Sequence, residues 1–223
     1  PFVFTERMSR FFEGYYSDKG VALMPNSEVE RFSGEPGATT LHLKSGKQCA
    51  GDVVVAGIGV SPAMAIAEDT PVKCDKGILV NERLETAVPG IYAAGDVAEF
   101  PHPYRDGTRR VEHWQNAKEQ GELAGRNLLG GGEVYNRTRY FFSDEFDLSW
   151  EFWGETEDAD RVLHVGDVES GSFSAWWVRD GHVTGGFCMG RGDAERDRVK
   201  TCVQERAQLP RDIEQRGEAS AAT

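Results

Sequence analysis

Residues Thr86 to Val97 read Thr-Ala-Val-Pro-Gly-Ile-Tyr-Ala-Ala-Gly-Asp-Val, a small apolar run that ends in a Gly-Asp pair. Ile91 to Ala94 are compact enough for a short buried strand, and Gly95 lets another group approach the backbone closely. Asp96, at the carboxyl end of that strand, can accept hydrogen bonds from a polyol, in the place where α/β sheets hold their ligands. A strand closed by an Asx turn would use the same residues.

The next informative stretch is Arg109-Arg110-Val111-Glu112-His113-Trp114-Gln115-Asn116-Ala117. It opens a helical pattern with Ala117, Leu123, Ala124 and Leu128 inward and Gly130 to Gly132 as its stop. Unpaired N–H groups and the positive end of the dipole make such a helix start favourable to negative charge. Trp114 there is either a ring packed on a ligand or a buried core tryptophan.

Before this stretch, Thr5 can cap a helix carrying Met8, Phe11, Phe12, Tyr15 and Tyr16 at helical spacing, with Gly20 to end it. Val21 to Met24 are expected to form a strand. Thr39 to Leu43, the turn Lys44 to Lys47 and Gln48 to Asp52 form a hairpin, and Asp52 to Gly59 a buried strand leaving through glycines. Gly57-Ile58-Gly59-Val60-Ser61-Pro62 has proline where a dinucleotide fingerprint needs glycine, and no G-x-G-x-x-G occurs in the chain.

From about Tyr135 the pattern turns to short strands: Tyr140 to Asp144, Ser149 to Gly154, Arg161 to Val165, Ser172 to Val178 and His182 to Met189. Arg179-Asp180-Gly181-His182 reads as a hairpin turn. Asp193 to Leu209 reads as a closing helix with Val199, Val203 and Leu209 inward, ended by Pro210. The polar stretch Arg211 to Thr223 is expected to be mobile.

The 223 residues, 39% of them hydrophobic, can bury a core and hold two compact units. A net charge of −12 argues against general binding to nucleic acid or membrane. No apolar run reaches spanning length and the first residues lack secretory features, so a cytoplasmic protein is the default. Cys49, Cys74, Cys188 and Cys202 are scattered without C-x-x-C spacing, so neither a redox dithiol nor a zinc site is indicated and free buried thiols are expected.

The twelve residues Thr86 to Val97, followed by Glu112 to Asn116, closely resemble the second flavin-binding motif of the FAD-dependent pyridine nucleotide-disulfide oxidoreductases, in particular the ferredoxin-reductase-like branch. The resemblance implies an α/β fold: the carboxyl-terminal part of a flavoprotein with two dinucleotide-binding domains, followed by an α+β interface domain with an antiparallel sheet. It divides the chain into 1–84, the latter part of the NAD(P)-binding domain, 85–134, the returning FAD-binding segment, 135–210, the interface domain, and the tail 211–223.

In that family the aspartate matching Asp96 holds a ribityl hydroxyl of FAD, and the segment matching Glu112, His113, Trp114 and Gln115 lies beside the isoalloxazine ring. Gly95, Val97 and the aromatic Phe142 complete the flavin contacts that the resemblance implies, although a lone Phe142 would serve equally as core. Ile58 and Gly59 match a turn that touches the NAD pocket. A hydride would pass from NAD(P)H to FAD, with no catalytic nucleophile or base and no metal among these residues. The implied partner is an iron–sulfur protein of ferredoxin or rubredoxin type, and the reading also allows a second copy of the chain in a homodimer.

Arg105, Arg109, Arg110, Arg137 and Arg139 form a candidate docking patch for an acidic ferredoxin, or a solvated surface of scattered arginines. Alternatives are an apoptosis-inducing-factor-like or monodehydroascorbate-reductase-like NADH oxidoreductase, or a non-catalytic binding or dimerisation module. The lack of both glycine-rich loops implies a chain truncated at its amino end, whose 223 residues alone would purify without flavin.

Overall fold

A computed structural model describes residues 4–220, which divide into two compact units: residues 12–61, and the described parts of 1–11 with 62–223. The first helix, α1 (Glu6–Asp18), begins in the larger unit and ends in the smaller. Thr5 caps it through its hydroxyl, which accepts from the N–H of Met8 at 3.3 Å. Gly20, at φ +83°, follows its end.

In the smaller unit β1 (Val29–Glu35), β2 (Ala38–Leu43) and β3 (Gln48–Gly51) form an antiparallel sheet in that order. Strand β1 was not expected, because Val-Glu-Arg-Phe-Ser-Gly-Glu lacks apolar alternation. The Pro36-Gly37 turn places it, since Glu35 pairs with Ala38 and Gly37 takes φ +88°. Two expectations fail here. Neither Val21 to Met24 nor Asp52 to Gly59 is a strand, and the second run is open to solvent, with Val55 89% and Ile58 94% exposed. A strand needs a neighbour for its backbone groups, and no strand among the described residues pairs with either run.

Two of the larger unit's hydrophobic cores lie among the described residues. Around the first, β4 (Ile78–Leu79) runs parallel to β5 (Ala98–Pro101), which pairs antiparallel with β6 (Thr108–Arg109). Helix α2 (Trp114–Leu128) packs Leu123 and Ala124 into the cluster of Val80, Leu84, Ala98 and Phe100. Leu128, expected inward, is exposed. The helix ends in a Schellman motif: the N–H of Gly131 donates to the carbonyl of Arg126, that of Gly130 to Asn127, and Gly130 takes φ +90°. Ile91 to Ala94 do not form a strand. They make one isolated bridge, Tyr92 to Glu85, flanked by single hydrogen bonds to Leu84 and Thr86, and Ile91 is exposed.

The second core lies between a six-stranded antiparallel sheet and the helices packed on it. Its strands are β7 (Tyr140–Glu145), β8 (Leu148–Gly154), β9 (Arg161–Asp167), β10 (Ser172–Arg179) and β11 (His182–Met189), followed by α3 (Asp193–Gln204), α4 (Arg211–Arg216) and β12 (Glu218–Ser220). The spatial order is β12-β9-β10-β11-β8-β7. Asp180 and Gly181, both at positive φ, close the β10–β11 hairpin as the sequence indicates. Helix α3 lies on β11 where Gly186 leaves room, since a Cβ there would come within 2.3 Å of Val199.

Three further expectations are corrected. Helix α3 ends at Gln204, and Leu209 reaches the core from the segment beyond it. The tail is ordered through Ser220, because Ile213 is buried under β9 and β12 gains a hydrogen-bonding partner at the sheet edge; residues 221–223 lie outside the described residues. All four cysteines are free, but only Cys188 is buried, while Cys74 is exposed. Burial pushes the Cys188 thiol up, which makes it inert.

Candidate functional site

The Gly-Asp pair sits on a tight 3₁₀ turn, Gly95–Val97, that is pressed against α2. Gly95 takes φ +81°, and a Cβ on it would meet the Ala117 methyl at 3.3 Å. Both facts call for glycine: the left-handed conformation disfavours a side chain, and the helix occupies the space. The expected close approach at Gly95 is therefore by α2. Asp96, in contrast, is exposed, with its carboxylate toward solvent.

The turn is fastened on both sides. The buried N–H of Gly95 donates to the side-chain oxygen of Gln120 at 2.8 Å, and Arg110 donates to the carbonyl of Asp96 at 2.5 Å. The other terminal nitrogen of Arg110 pairs with Glu112. One guanidinium thus ties together the two segments that carry the motif. Beneath them, the buried Glu99 carboxylate accepts from the N–H of Gly77 at 2.9 Å and from the Thr108 hydroxyl at 2.5 Å.

At the start of α2, His113 is the N-cap, and its Nδ1 accepts from the N–H of Gln115 at 3.3 Å. This bond requires Nδ1 to be unprotonated. Burial, with a contribution from Arg139, lowers the His113 pKa against the opposing pull of Asp96. No acidic residue occupies the first turn, so no side chain of that turn offsets the positive end of the dipole. Trp114 is 65% exposed, with Lys118 above its ring at 5.6 Å, so the core-tryptophan alternative fails.

Phe142 is 47% exposed and stacks on Tyr140 at 6.1 Å, on the face of β7 opposite Phe141. It is Phe141 whose ring meets His113, at 5.9 Å. The alternation of a strand accounts for this, and sequence reasoning missed Phe141. Ile58 and Gly59 belong to the smaller unit, in the exposed run after β3.

The five arginines do not make a uniformly basic surface. Arg105 pairs with Asp158 at 2.6 Å, Arg109 with Glu155, Arg110 with Glu112, and Arg139 with Glu157 at 3.7 Å. Acidic residues outnumber basic ones in this chain, 37 to 25, and folding brings Glu155, Glu157 and Asp158 from the loop after β8 to three of these cations, while Arg110 takes Glu112 from its own segment; these four arginines do not act as free charges. They line an open cleft of about 390 Å³ together with His102, whose Nε2 lies 2.9 Å from Glu155. Among the described residues no cluster of His, Cys, Asp and Glu is placed to hold a metal ion, and no helix is long and apolar enough to cross a membrane.

Comparison with known proteins matches the chain to two family models and to reductases. The family model described as pyridine nucleotide-disulphide oxidoreductase matches residues 2–121, and one described as monodehydroascorbate reductase 3-like, C-terminal domain, matches residues 138–219. Monodehydroascorbate reductase 3 of Arabidopsis thaliana is 35% identical over 84% of the chain and 44% of its own length. Among solved structures, the ferredoxin reductase for the CYP199A2 system from Rhodopseudomonas palustris superposes with a TM-score of 0.87 at 28% identity, over 97% of this chain and 53% of that one. Putidaredoxin reductase in its covalent complex with putidaredoxin gives 0.85 at 25% identity, over 95% and 51%. The chain spans about half the length of the curated relatives it matches.

Proposed function

Because the chain belongs to the pyridine nucleotide-disulphide oxidoreductase family, whose members use FAD and NAD(P)H, we propose that it contributes the riboflavin-binding half of an FAD-dependent NAD(P)H oxidoreductase. The observation that carries this reading is the exposed Asp96 on a turn clamped by Gln120 and Arg110, next to a helix whose first turn carries no acidic residue. A polyol hydroxyl and an electron-rich ring edge are the ligands such a pair suits.

In this reading Asp96 accepts from a ribityl hydroxyl, Val97 offers its backbone, and residues Glu112 to Gln115 hold the helix start toward the pyrimidine side. Trp114 and Phe142 supply exposed rings to pack near the flavin and exclude water, while Ile58 and Gly59 serve the nicotinamide nucleotide. When bound, FAD supplies the passage from two-electron donor to one-electron acceptor. No side chain of this site is required to act as a nucleophile or general base.

Two acceptors have support. An iron–sulfur protein of ferredoxin or rubredoxin type is suggested by the likeness to putidaredoxin reductase. Monodehydroascorbate is suggested by the match over residues 138–219, and the ion pairing of Arg105, Arg109, Arg110 and Arg139 favours it, since an acidic protein would find few free cations there. We prefer the small acceptor. The test is reoxidation of the NADH-reduced holoprotein by enzymatically generated monodehydroascorbate and by a reducible ferredoxin. Rapid reoxidation by ferredoxin alone reverses the preference, and a full-length protein without flavin absorbance ends the whole reading.

A further inference from the structure

The buried side of α2 carries three amides where an amphipathic helix would place apolar groups: Asn116, Gln120 and Asn127. Each holds a neighbouring loop. Asn116 donates to the carbonyl of Val111 at 3.1 Å and accepts from the Tyr135 hydroxyl at 2.9 Å. Asn127 donates to the carbonyls of Arg83 and Glu133 at 2.9 and 2.8 Å and accepts from the N–H of Glu133 at 2.7 Å. Both use oxygen and nitrogen alike.

Gln120 differs. Its oxygen accepts from the N–H of Gly95, but its amide nitrogen is buried with no hydrogen-bond partner, and the residue is 0% exposed. A buried donor without an acceptor costs stability, so a hydrophobic side chain of similar volume would suit the core better in that respect. What the glutamine provides is a fixed acceptor under the one residue whose left-handed backbone sets the direction of Asp96. The N–H of Gly95 is itself buried, so without Gln120 the turn would have to rotate to find another partner.

We infer that Gln120 is a positioning residue for flavin binding, acting through the Gly95 turn to aim the Asp96 carboxylate at the ribityl chain. The inference rests on the flavin reading above and adds a residue that does not touch the cofactor. It requires that the contribution of Gln120 to affinity exist only while Asp96 has a carboxylate. A residue that merely supported the fold would contribute in either case.

The experiment is a double-mutant cycle on FAD affinity, using apoprotein prepared from the native holoprotein, with Gln120→Met, Asp96→Ala and the combination. Gln120→Met is expected to melt close to the parent, because it exchanges one unpaired buried donor for another, yet to bind FAD roughly five- to tenfold more weakly. In the Asp96→Ala background it should add nothing. Gln120→Glu, which keeps an acceptor for Gly95, should recover most of the affinity. If Gln120→Met does not fold, Gln120→Ala carries the same cycle, with water able to enter the space. Equal losses in both backgrounds would make Gln120 structural and overturn the inference. Unchanged affinity in Gln120→Met would overturn it while leaving the flavin reading intact, and a full-length parent that binds no FAD would overturn both.

Discussion

The guanidinium of Arg110 donates to the backbone carbonyl of Asp96 at 2.5 Å while its other arm pairs with Glu112, so one side chain sets the spacing of the two segments of the candidate flavin site. Replacing it by methionine removes a charge-assisted bond and leaves Glu112 without its partner. With about 1.5 to 3 kcal/mol assigned to a hydrogen bond with a charged group, FAD affinity should fall by roughly tenfold or more. Equilibrium titration of the apoprotein checks this. An unchanged dissociation constant would show that the two segments are held by packing alone.

Asp96 itself is predicted to matter more directly. Asp96→Ala should weaken FAD binding by roughly ten- to a hundredfold, the loss of one hydrogen bond to a carboxylate. Because the residue is exposed and its attraction to His113 is through space, the melting temperature of the apoprotein should stay near that of the parent. A large loss of apoprotein stability would move Asp96 from the site to the scaffold.

Trp114 and Trp176 should behave in opposite ways. Trp114 is largely exposed, so Trp114→Leu should leave stability within about 0.5 kcal/mol and raise flavin emission in the holoprotein by removing a quencher. Trp176 is fully buried, and its indole N–H donates to the Ser174 hydroxyl at 2.9 Å, which in turn donates to Glu195 at 2.7 Å. Trp176→Ala should cost about 3 to 5 kcal/mol in urea unfolding. Emission that does not change in Trp114→Leu would place that ring away from the flavin.

Acid should destabilise the fold in two separate windows. Burial lowers the pKa of His102, His113 and His164; at His164 the nearby Arg7 adds to the effect, while Glu218 and Glu169 oppose it. A base whose pKa is lowered on folding binds its proton more readily when unfolded. Stability is therefore complete above the ordinary histidine value of about 6.5 and declines as pH falls toward the depressed folded values. Unfolding at pH 7.5 and 5.5 should show the difference, and it should shrink in His164→Asn, which removes the most buried of the three rings. Glu169 and Asp212, held near pKa 2 by Arg7 and Arg198, contribute only in a lower window, as pH falls below the ordinary carboxylate range. Equal stability at pH 7.5 and 5.5 would contradict the assignment of the upper window.

Much of the chain was legible from local pattern. The strands between Tyr140 and Met189, the Asp180-Gly181 hairpin, the start of α1 at Thr5 and the stop of α2 at Gly130 follow from β-branched and aromatic runs between polar turns, hydroxyl caps and positive-φ residues, all properties of a few neighbouring positions. The Gly-Asp turn and the helix start after it were also visible as motifs. Pairing between distant segments was not. Val53 to Val55 have the composition of a central strand but no partner strand among the described residues, whereas the polar Glu218 to Ser220 became a strand because β9 offered an open edge. Tertiary structure alone turned Arg110 from a docking cation into a brace, put Phe141 rather than Phe142 against His113, and set Gln120 beneath Gly95. Sequence pattern specifies which face a residue can occupy, while the partner across that face is decided only when segments far apart in the chain compete for the same hydrogen bonds and the same volume.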